Sequence, residues 1–274
     1  MRSLPSSPCT PSVIMKSLSF SFLLTFAVVF GAVAQPRVIA HRGHWTPTGS
    51  AQNSLAALKL SDKIGVFGAE FDVHITSDGV AVINHDATLF GVRIEDTPYS
   101  RLKKLRLLNG EPLPTLEKYL RQARRLKNNT RLILEIKPHR SPTNEDRCVN
   151  EVLRLIKKYG LEGRTDYISF SIYVCERLVH LSPKAHIAYL GGNITPQDIR
   201  NRGLSGIDYS QDVLQKHPEW IEEAHRLGLT VNVWTVNTEE KMHHFIEKNV
   251  DFITTNHPEE ALRLTRMLNA EKTK

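Results

Sequence analysis

A chain of 274 residues that is 41% hydrophobic and 24% charged has enough apolar content for one large core, which excludes a disordered protein. Its formal charge of +7 suits an anionic small-molecule substrate. Without a basic cluster, that balance is too modest to argue for nucleic-acid binding, and none is expected.

The first 34 residues contain no Asp or Glu. From Met15 they run Met-Lys, an apolar stretch through Leu23, Phe26, Val28 and Phe30, then Ala32-Val33-Ala34. A basic start, an apolar middle and small alternate residues read as a secretory signal cleaved after Ala34. Residues 1–34 are therefore expected to be a signal peptide, and residues 35–274 the catalytic domain of an exported protein, periplasmic or secreted. The alternative is an uncleaved anchor, since the apolar run approaches the length that spans a bilayer. The small-residue pattern favours removal, so no stable membrane insertion is expected after cleavage. The polar leader before Met15 suggests that translation starts at Met15. Cleavage would remove Arg2, Lys16 and Cys9, leaving Cys148 and Cys175 as structural residues whose pairing stays open; neither has a metal-binding spacing.

The first expected strand, 38–40, ends in His41-Arg42-Gly43. After a helix from about 54 to 60 comes Gly68-Ala69-Glu70-Phe71-Asp72-Val73, whose alternation puts Glu70 and Asp72 on one face of a strand and Phe71 and Val73 on the other. Two carboxylates on one face repel unless a cation lies between them. A divalent ion held by oxygen ligands is expected there, with His41 and His85 able to act as acid and base. Asp78-Gly79 turns the chain back toward Val82. The irregular section 87–114 follows, with its basic residues, among them Arg101, Lys103 and Lys104, read as a solvated face.

A helix from Thr115 leads to a third strand, 131–137, where Leu132, Leu134 and Ile136 share one face and Glu135 and Lys137 the other. Taken alone, this charged pair is equally well an internal ion pair. Further strands are expected at 167–171, 187–190, 206–209, 230–236 and 251–254. The helices are expected at 144–159, 174–181, 195–201, 218–227, 238–248 and 258–268. Eight strand–helix units over about 240 residues fit an α/β fold, a (β/α)8 TIM barrel with a small insertion after strand 2. An open doubly wound sheet would carry a glycine-rich turn after its first strand, and His41-Arg42-Gly43-His44-Trp45 is not one. In a barrel, His41, Asp72, Lys137 and Trp234 all reach the same mouth.

The motifs His41-Arg42-Gly43, Asn53-Ser54-Leu55, Glu70-x-Asp72, His85-Asp86, Leu134-Glu135-Ile136-Lys137 and Trp234-Thr235-Val236-Asn237, in this order, resemble those of the glycerophosphodiester phosphodiesterases. The resemblance spans the mature chain. It implies that Glu70, Asp72 and Glu135 hold a divalent cation, that His41 and His85 are the catalytic acid–base pair, and that Arg42 and Lys137 bind phosphate. Three carboxylates form a hard-oxygen set suited to Ca²⁺ or Mg²⁺ rather than zinc. Trp234 is assigned to the substrate, although Trp45 and Trp234 could each line an alcohol pocket or ordinary core.

The chain departs from the family pattern at Ala51-Gln52-Asn53, where Pro-Glu-Asn is usual, and at Thr255-Asn256, where Thr-Asp is common. It also has Phe90-Gly91-Val92 near the place of the family's Arg-Thr-Thr. The expected reaction is hydrolysis of a small-molecule glycerophosphodiester to glycerol 3-phosphate and an alcohol, and the resemblance implies attack by the neighbouring glycerol hydroxyl through a cyclic phosphate that water then opens. The alternatives are a lysophospholipase D or phosphoinositide-type phosphodiesterase, or a module that binds phosphodiesters without cleaving them. Oligomeric state stays open.

Overall fold

Strand β1 (Arg37–Ala40) opens the chain in the computed structural model, which describes residues 35–272. The signal-peptide expectation concerns residues 1–34 and lies outside the described residues. Helix α1 (Leu55–Ile64) and strand β2 (Gly68–Ile75) follow, and β2 turns at Gly79 into the antiparallel β3 (Ala81–Ile83). The insertion contributes β4 (Thr88–Leu89), β5 (Val92–Arg93) and α2 (Tyr99–Leu102), after which α3 (Leu116–Ala123) leads to β6 (Arg131–Ile136). The alternation then continues with α4 (Pro142–Tyr159), β7 (Thr165–Ser169), α5 (Ile172–Leu181), β8 (Ile187–Tyr189), α6 (Pro196–Asn201) and β9 (Gly206–Ser210). It closes with α7 (Gln211–Lys216), α8 (Glu219–Arg226), β10 (Thr230–Trp234), α9 (Glu239–Glu247), β11 (Phe252–Thr255) and α10 (Pro258–Lys272).

Eight parallel strands run in the order β1-β11-β10-β9-β8-β7-β6-β2, and β2 pairs again with β1. That last pairing, Ile39 with Gly68 and Ala40 with Ala69, closes the barrel. Closure is tight at this seam: a Cβ on Gly68 would lie 2.8 Å from Ile133 Cγ1, so a larger residue would collide with the barrel interior.

Strand alternation divides the core into two. Residues such as Phe71, Leu134, Ile207 and Val231 face outward into one large cluster beneath the helices, where Phe71 meets Tyr119 of α3 at 4.3 Å between ring centroids. Ile39, Ile133, Ile168, Ala188 and Phe252 fill the barrel instead. Beneath them, the guanidinium of Arg37 lies 4.1 and 4.3 Å from the centroids of the Phe67 and Phe252 rings, and Arg131 pairs with Asp166. The closed floor leaves the opposite rim, at the strands' C-terminal ends, as the place for chemistry.

The helix starts are written locally. Ser54, Thr115, Ser141, Ser171, Ser210 and Thr238 each accept a hydrogen bond from the backbone N–H three residues on, satisfying a donor that the first helical turn leaves free. The same chemistry explains two boundaries that differ from the sequence reading. The strand expected to reach residue 171 ends at Ser169 because Ser171 caps α5. Helix α7 had no counterpart in the sequence reading; it starts at the Ser210 cap and buries only Leu214, too little for an apolar period. Lys137 lies one residue beyond β6, with its N–H still donating to Val73 O at 3.1 Å. Cys148 and Cys175 are buried free thiols, not a disulfide. Among the described residues, no helix is long and apolar enough to cross a membrane.

Candidate active site

The β1–α1 loop begins with Arg42 and Gly43 in consecutive left-handed conformations, φ 57° and 74°. Gly43 is required twice over, since a Cβ there would sit 2.7 Å from Ala57 Cβ. Arg42 tolerates a conformation that costs of order 1–3 kcal/mol in a non-glycine residue. The turn aims its backbone N–H at Glu70 Oε2, 2.7 Å away, and sends its guanidinium to Gln52 Oε1 at 2.7 Å.

Glu70 and Asp72 project inward from β2, and the parallel register that sets Asp72 beside Glu135 brings in the third acid from β6. Ligand atoms of all three lie within 4.8 Å of one another, and all three residues are buried. Lys137 Nζ bridges Asp72 Oδ1 at 2.9 Å and Glu135 Oε1 at 2.8 Å. Asn53, another left-handed residue with φ 63°, donates from Nδ2 to Asp72 Oδ2 at 2.8 Å while its Oδ1 accepts the Asp72 N–H at 3.2 Å. Arg42 Nε stands 4.0 Å from the same carboxylate.

These partners separate the acids electrostatically. Burial disfavours ionisation of Asp72, but Lys137 and Asn53 outweigh it and hold the carboxyl down to about 2. Glu135 is pushed up to about 8 by burial and by the Asp72 charge. Glu70 rises well above its ordinary value through burial and then its two acidic neighbours. Glu70 Oε1 is buried without a hydrogen-bond partner among the described residues. Lys137 and the more distant Arg42 guanidinium both serve Asp72 first and leave Glu70 without a cationic partner, so this donor set fits a hard divalent cation, which would favour the charged form of each acid.

His41 and His85 stand beside this cluster. His41 Nδ1 lies 2.8 Å from Asn256 Oδ1, and its Nε2 4.0 Å from Glu70 Oε2. Burial first, and Arg42 second, lower its pKa to about 4. His85 Nδ1 lies 2.7 Å from Asp86 Oδ1, and burial lowers its pKa despite nearby Asp72. In both rings the side-chain oxygen beside Nδ1 selects the Nδ1–H form, which leaves Nε2 as the atom that accepts a proton or, once protonated, delivers it. Both histidines, with Arg42, Glu70, Glu135 and Lys137, line a cavity of about 110 Å³. Trp234 lines it too, its indole N–H donating to Asp208 O at 2.9 Å and its ring meeting Phe170 edge-on at 5.6 Å. Trp45 lies elsewhere, in a separate groove.

The residues assigned to the site from the sequence (His41, Arg42, Glu70, Asp72, His85, Glu135, Lys137 and Trp234) thus reach one rim, and Trp45 does not. Sequence reasoning gave no role to Gln52, Asn53, Asp86, Asp208 or Asn256. The first three sit within or beside quoted motifs; Asp86 meets its own neighbour His85, whereas the partners of Gln52 and Asn53 lie 10 and 19 residues away. Asn53→Ala is expected to loosen Asp72 by removing both amide bonds and to lower stability by about 1–3 kcal/mol, measured by urea unfolding.

Asp208 is fully buried beside Asn232, whose Nδ2 donates to it at 2.9 Å, and burial raises its pKa from 3.8 to about 7. Between those values the folded protein keeps a proton that the unfolded chain has released, so stability falls as pH rises through this window. Asp208→Asn keeps the acceptor and removes the charge. It is expected to flatten that slope and to stabilise the protein at pH 8 by about 1–3 kcal/mol, read from urea melts at pH 5 and pH 8.

A closed eight-stranded parallel barrel with acids, imidazoles and cations gathered at the C-terminal rim has the architecture of a barrel enzyme. The chain belongs to the glycerophosphoryl diester phosphodiesterase family, whose model matches residues 41–260, and it is a phosphodiesterase. It is 27% identical over 245 residues to the glycerophosphodiester phosphodiesterase of Caldanaerobacter subterraneus, covering 84% of this chain and 97% of that protein. A crystal structure of a glycerophosphodiester phosphodiesterase from Parabacteroides distasonis superimposes with a TM-score of 0.84 at 43% identity, covering 86% of this chain and 98% of that one.

Proposed function

We propose that this phosphodiesterase hydrolyses glycerophosphodiesters to glycerol 3-phosphate and a free alcohol, with His41 and His85 as the acid–base pair and Ca²⁺ or Mg²⁺ held by Glu70, Asp72 and Glu135. The observation that carries the reading is the convergence of two Nε2-presenting imidazoles and a cationic pair on the rim that bears the buried acidic triad. A bound divalent cation would supply Lewis-acid stabilisation of charge on the phosphate oxygens.

The chain's own groups account for the remaining steps. Arg42 and Lys137, both lining the cavity, bind the phosphate oxygens and oppose the charge that builds up during displacement. One histidine, neutral at Nε2, takes the proton of the glycerol hydroxyl next to the phosphorus, and the other, entering the step protonated at Nε2, gives that proton to the departing alcohol oxygen. Opening of the resulting cyclic phosphate by water reverses the two roles. Trp234 and Phe170 form an apolar edge that restricts water on one side of the cavity.

A panel of glycerophosphodiesters with different alcohols, assayed with Ca²⁺ or with Mg²⁺, tests the reading through release of glycerol 3-phosphate. Saturable binding of every diester with no product under either ion would overturn it. Export is a separate proposal that rests on the leader alone; a mature protein beginning at Gln35 outside the cytoplasm would support it, and an intact leader would refute it.

A further inference from the structure

Phe90 and Leu108, 65% and 94% exposed, both belong to the insertion, and they flank one groove of about 630 Å³. Neither serves the insertion's own core, which Val82, Leu89, Ile94, Leu102 and Leu113 fill. Both lie in tight turns. Phe90 occupies the β4–β5 turn with φ 49°, directly before Gly91 at φ 78°. That conformation suits Asn or Gly far better than a bulky aromatic residue. Leu108 lies in the turn closed by Leu107 N–H donating to Glu111 O at 2.7 Å. Folding explains neither side chain.

Each turn also carries cations. Arg93 pairs with Thr88 on the Phe90 hairpin, and Arg101, Lys103, Lys104 and Arg106 lead into Leu108. All five are exposed, and none takes part in an ion pair among the described residues. The insertion's acids are engaged elsewhere: Glu95 and Asp96 pair with Arg140, and Glu111 accepts the Leu55 and Ala56 N–H groups at the start of α1, at 2.9 and 3.1 Å.

We propose that the tip of the insertion docks on an anionic lipid surface, with Phe90 and Leu108 entering the interfacial layer and the surrounding cations facing lipid phosphates. Separate apolar tips set among free cations suit a charged bilayer better than a protein partner, which would be met by a continuous apolar patch. The contact is peripheral and needs no membrane-spanning segment. Its position matters to the enzyme because Gln52 and Asp86, which hold Arg42 and His85, line the same groove. Docking would set the active-site mouth against the surface where diesters of apolar alcohols accumulate. The inference concerns binding alone, so it stands or falls independently of the proposed reaction.

The test uses the full chain carrying Cys9→Ser and Leu108→Cys, with an environment-sensitive fluorophore on residue 108; Cys148 and Cys175 are buried and escape the label. Mixed phosphatidylcholine–phosphatidylglycerol vesicles are expected to shift the emission to the blue, high salt to reverse the shift, and pure phosphatidylcholine to leave it unchanged. No shift on the mixed vesicles, or an equal shift on both kinds, overturns the proposal. A chain held only by residues 1–34 would leave residue 108 in water and count against it. In co-sedimentation, the unlabelled Phe90→Ser and Leu108→Ser variants are each expected to bind mixed vesicles about tenfold more weakly than the parent chain, with unchanged rates on a water-soluble diester. Unchanged vesicle binding in both variants overturns it as well.

Discussion

Glu70→Gln and Glu135→Gln are each expected to lower kcat/KM by about 10³-fold, because a divalent cation at the triad would supply several kcal/mol of transition-state stabilisation. A chelator should reproduce the loss in the parent protein, and added Ca²⁺ or Mg²⁺ should restore it. The binding itself has a second readout. An ion that binds the folded chain and not the unfolded one raises the melting temperature in a concentration-dependent way. That rise should appear in the parent and disappear in both variants. Each Gln variant also replaces a buried acid whose ionisation its neighbours oppose by a neutral amide of the same shape, so without the ion it should melt no lower than the parent. A variant that keeps both its activity and its ion-dependent melting shift would remove Glu70 or Glu135 from the cation site. Activity that survives exhaustive chelation would remove the cation from the reaction.

The second large effect belongs to the histidines. His41→Ala and His85→Ala are each expected to cost about 10²–10⁴-fold in kcat, the usual range for a positioned proton donor or acceptor, with KM changed much less. His85 lies at the open side of the cavity, its side chain 38% exposed, so its removal disturbs little packing. His41 is more enclosed, but its side-chain bond to Asn256 is not shared with the core. Neither replacement should therefore lower the melting temperature by more than a few degrees. Asn256→Ala provides a graded comparison. It leaves the imidazole in place but frees its Nδ1, so kcat should fall by about tenfold. Near-parental turnover in either His→Ala variant would refute the pair.

Local chemistry made much of the fold legible in advance. A period of two put Glu70 and Asp72 on one face and Phe71 and Val73 on the other. Asp78-Gly79 announced the hairpin, and the helices expected from about 54, from Thr115 and from 238 begin at Ser or Thr caps. The count of strand–helix units then favoured a barrel, which placed the strand ends together before any contact was known. Helix α7 escaped because six residues with one buried side chain make no periodic pattern. The strand expected at 167–171 ran two residues too far because Ser171 serves the following helix.

The supporting groups were beyond the sequence for a different reason. Gln52, Asn53 and Asn256 are amides whose side chains can donate or accept in any direction, and nothing in their neighbours shows which partner they will meet. Asn53 grips Asp72 across 19 residues and Asn256 meets His41 across 215. Such pairings exist only once the barrel has closed.

By itself, then, the sequence determined the residue types, the strand periods and the order of motifs, because side-chain alternation and capping act over a few neighbouring residues. Only the tertiary structure decided that Lys137 bridges Asp72 and Glu135, that Glu70 keeps an unpartnered buried oxygen, and that Phe90 and Leu108 share a groove. The first two outcomes depend on the register between strands and on desolvation, which are properties of the closed barrel, and the third on how the insertion's turns meet the β1–α1 loop.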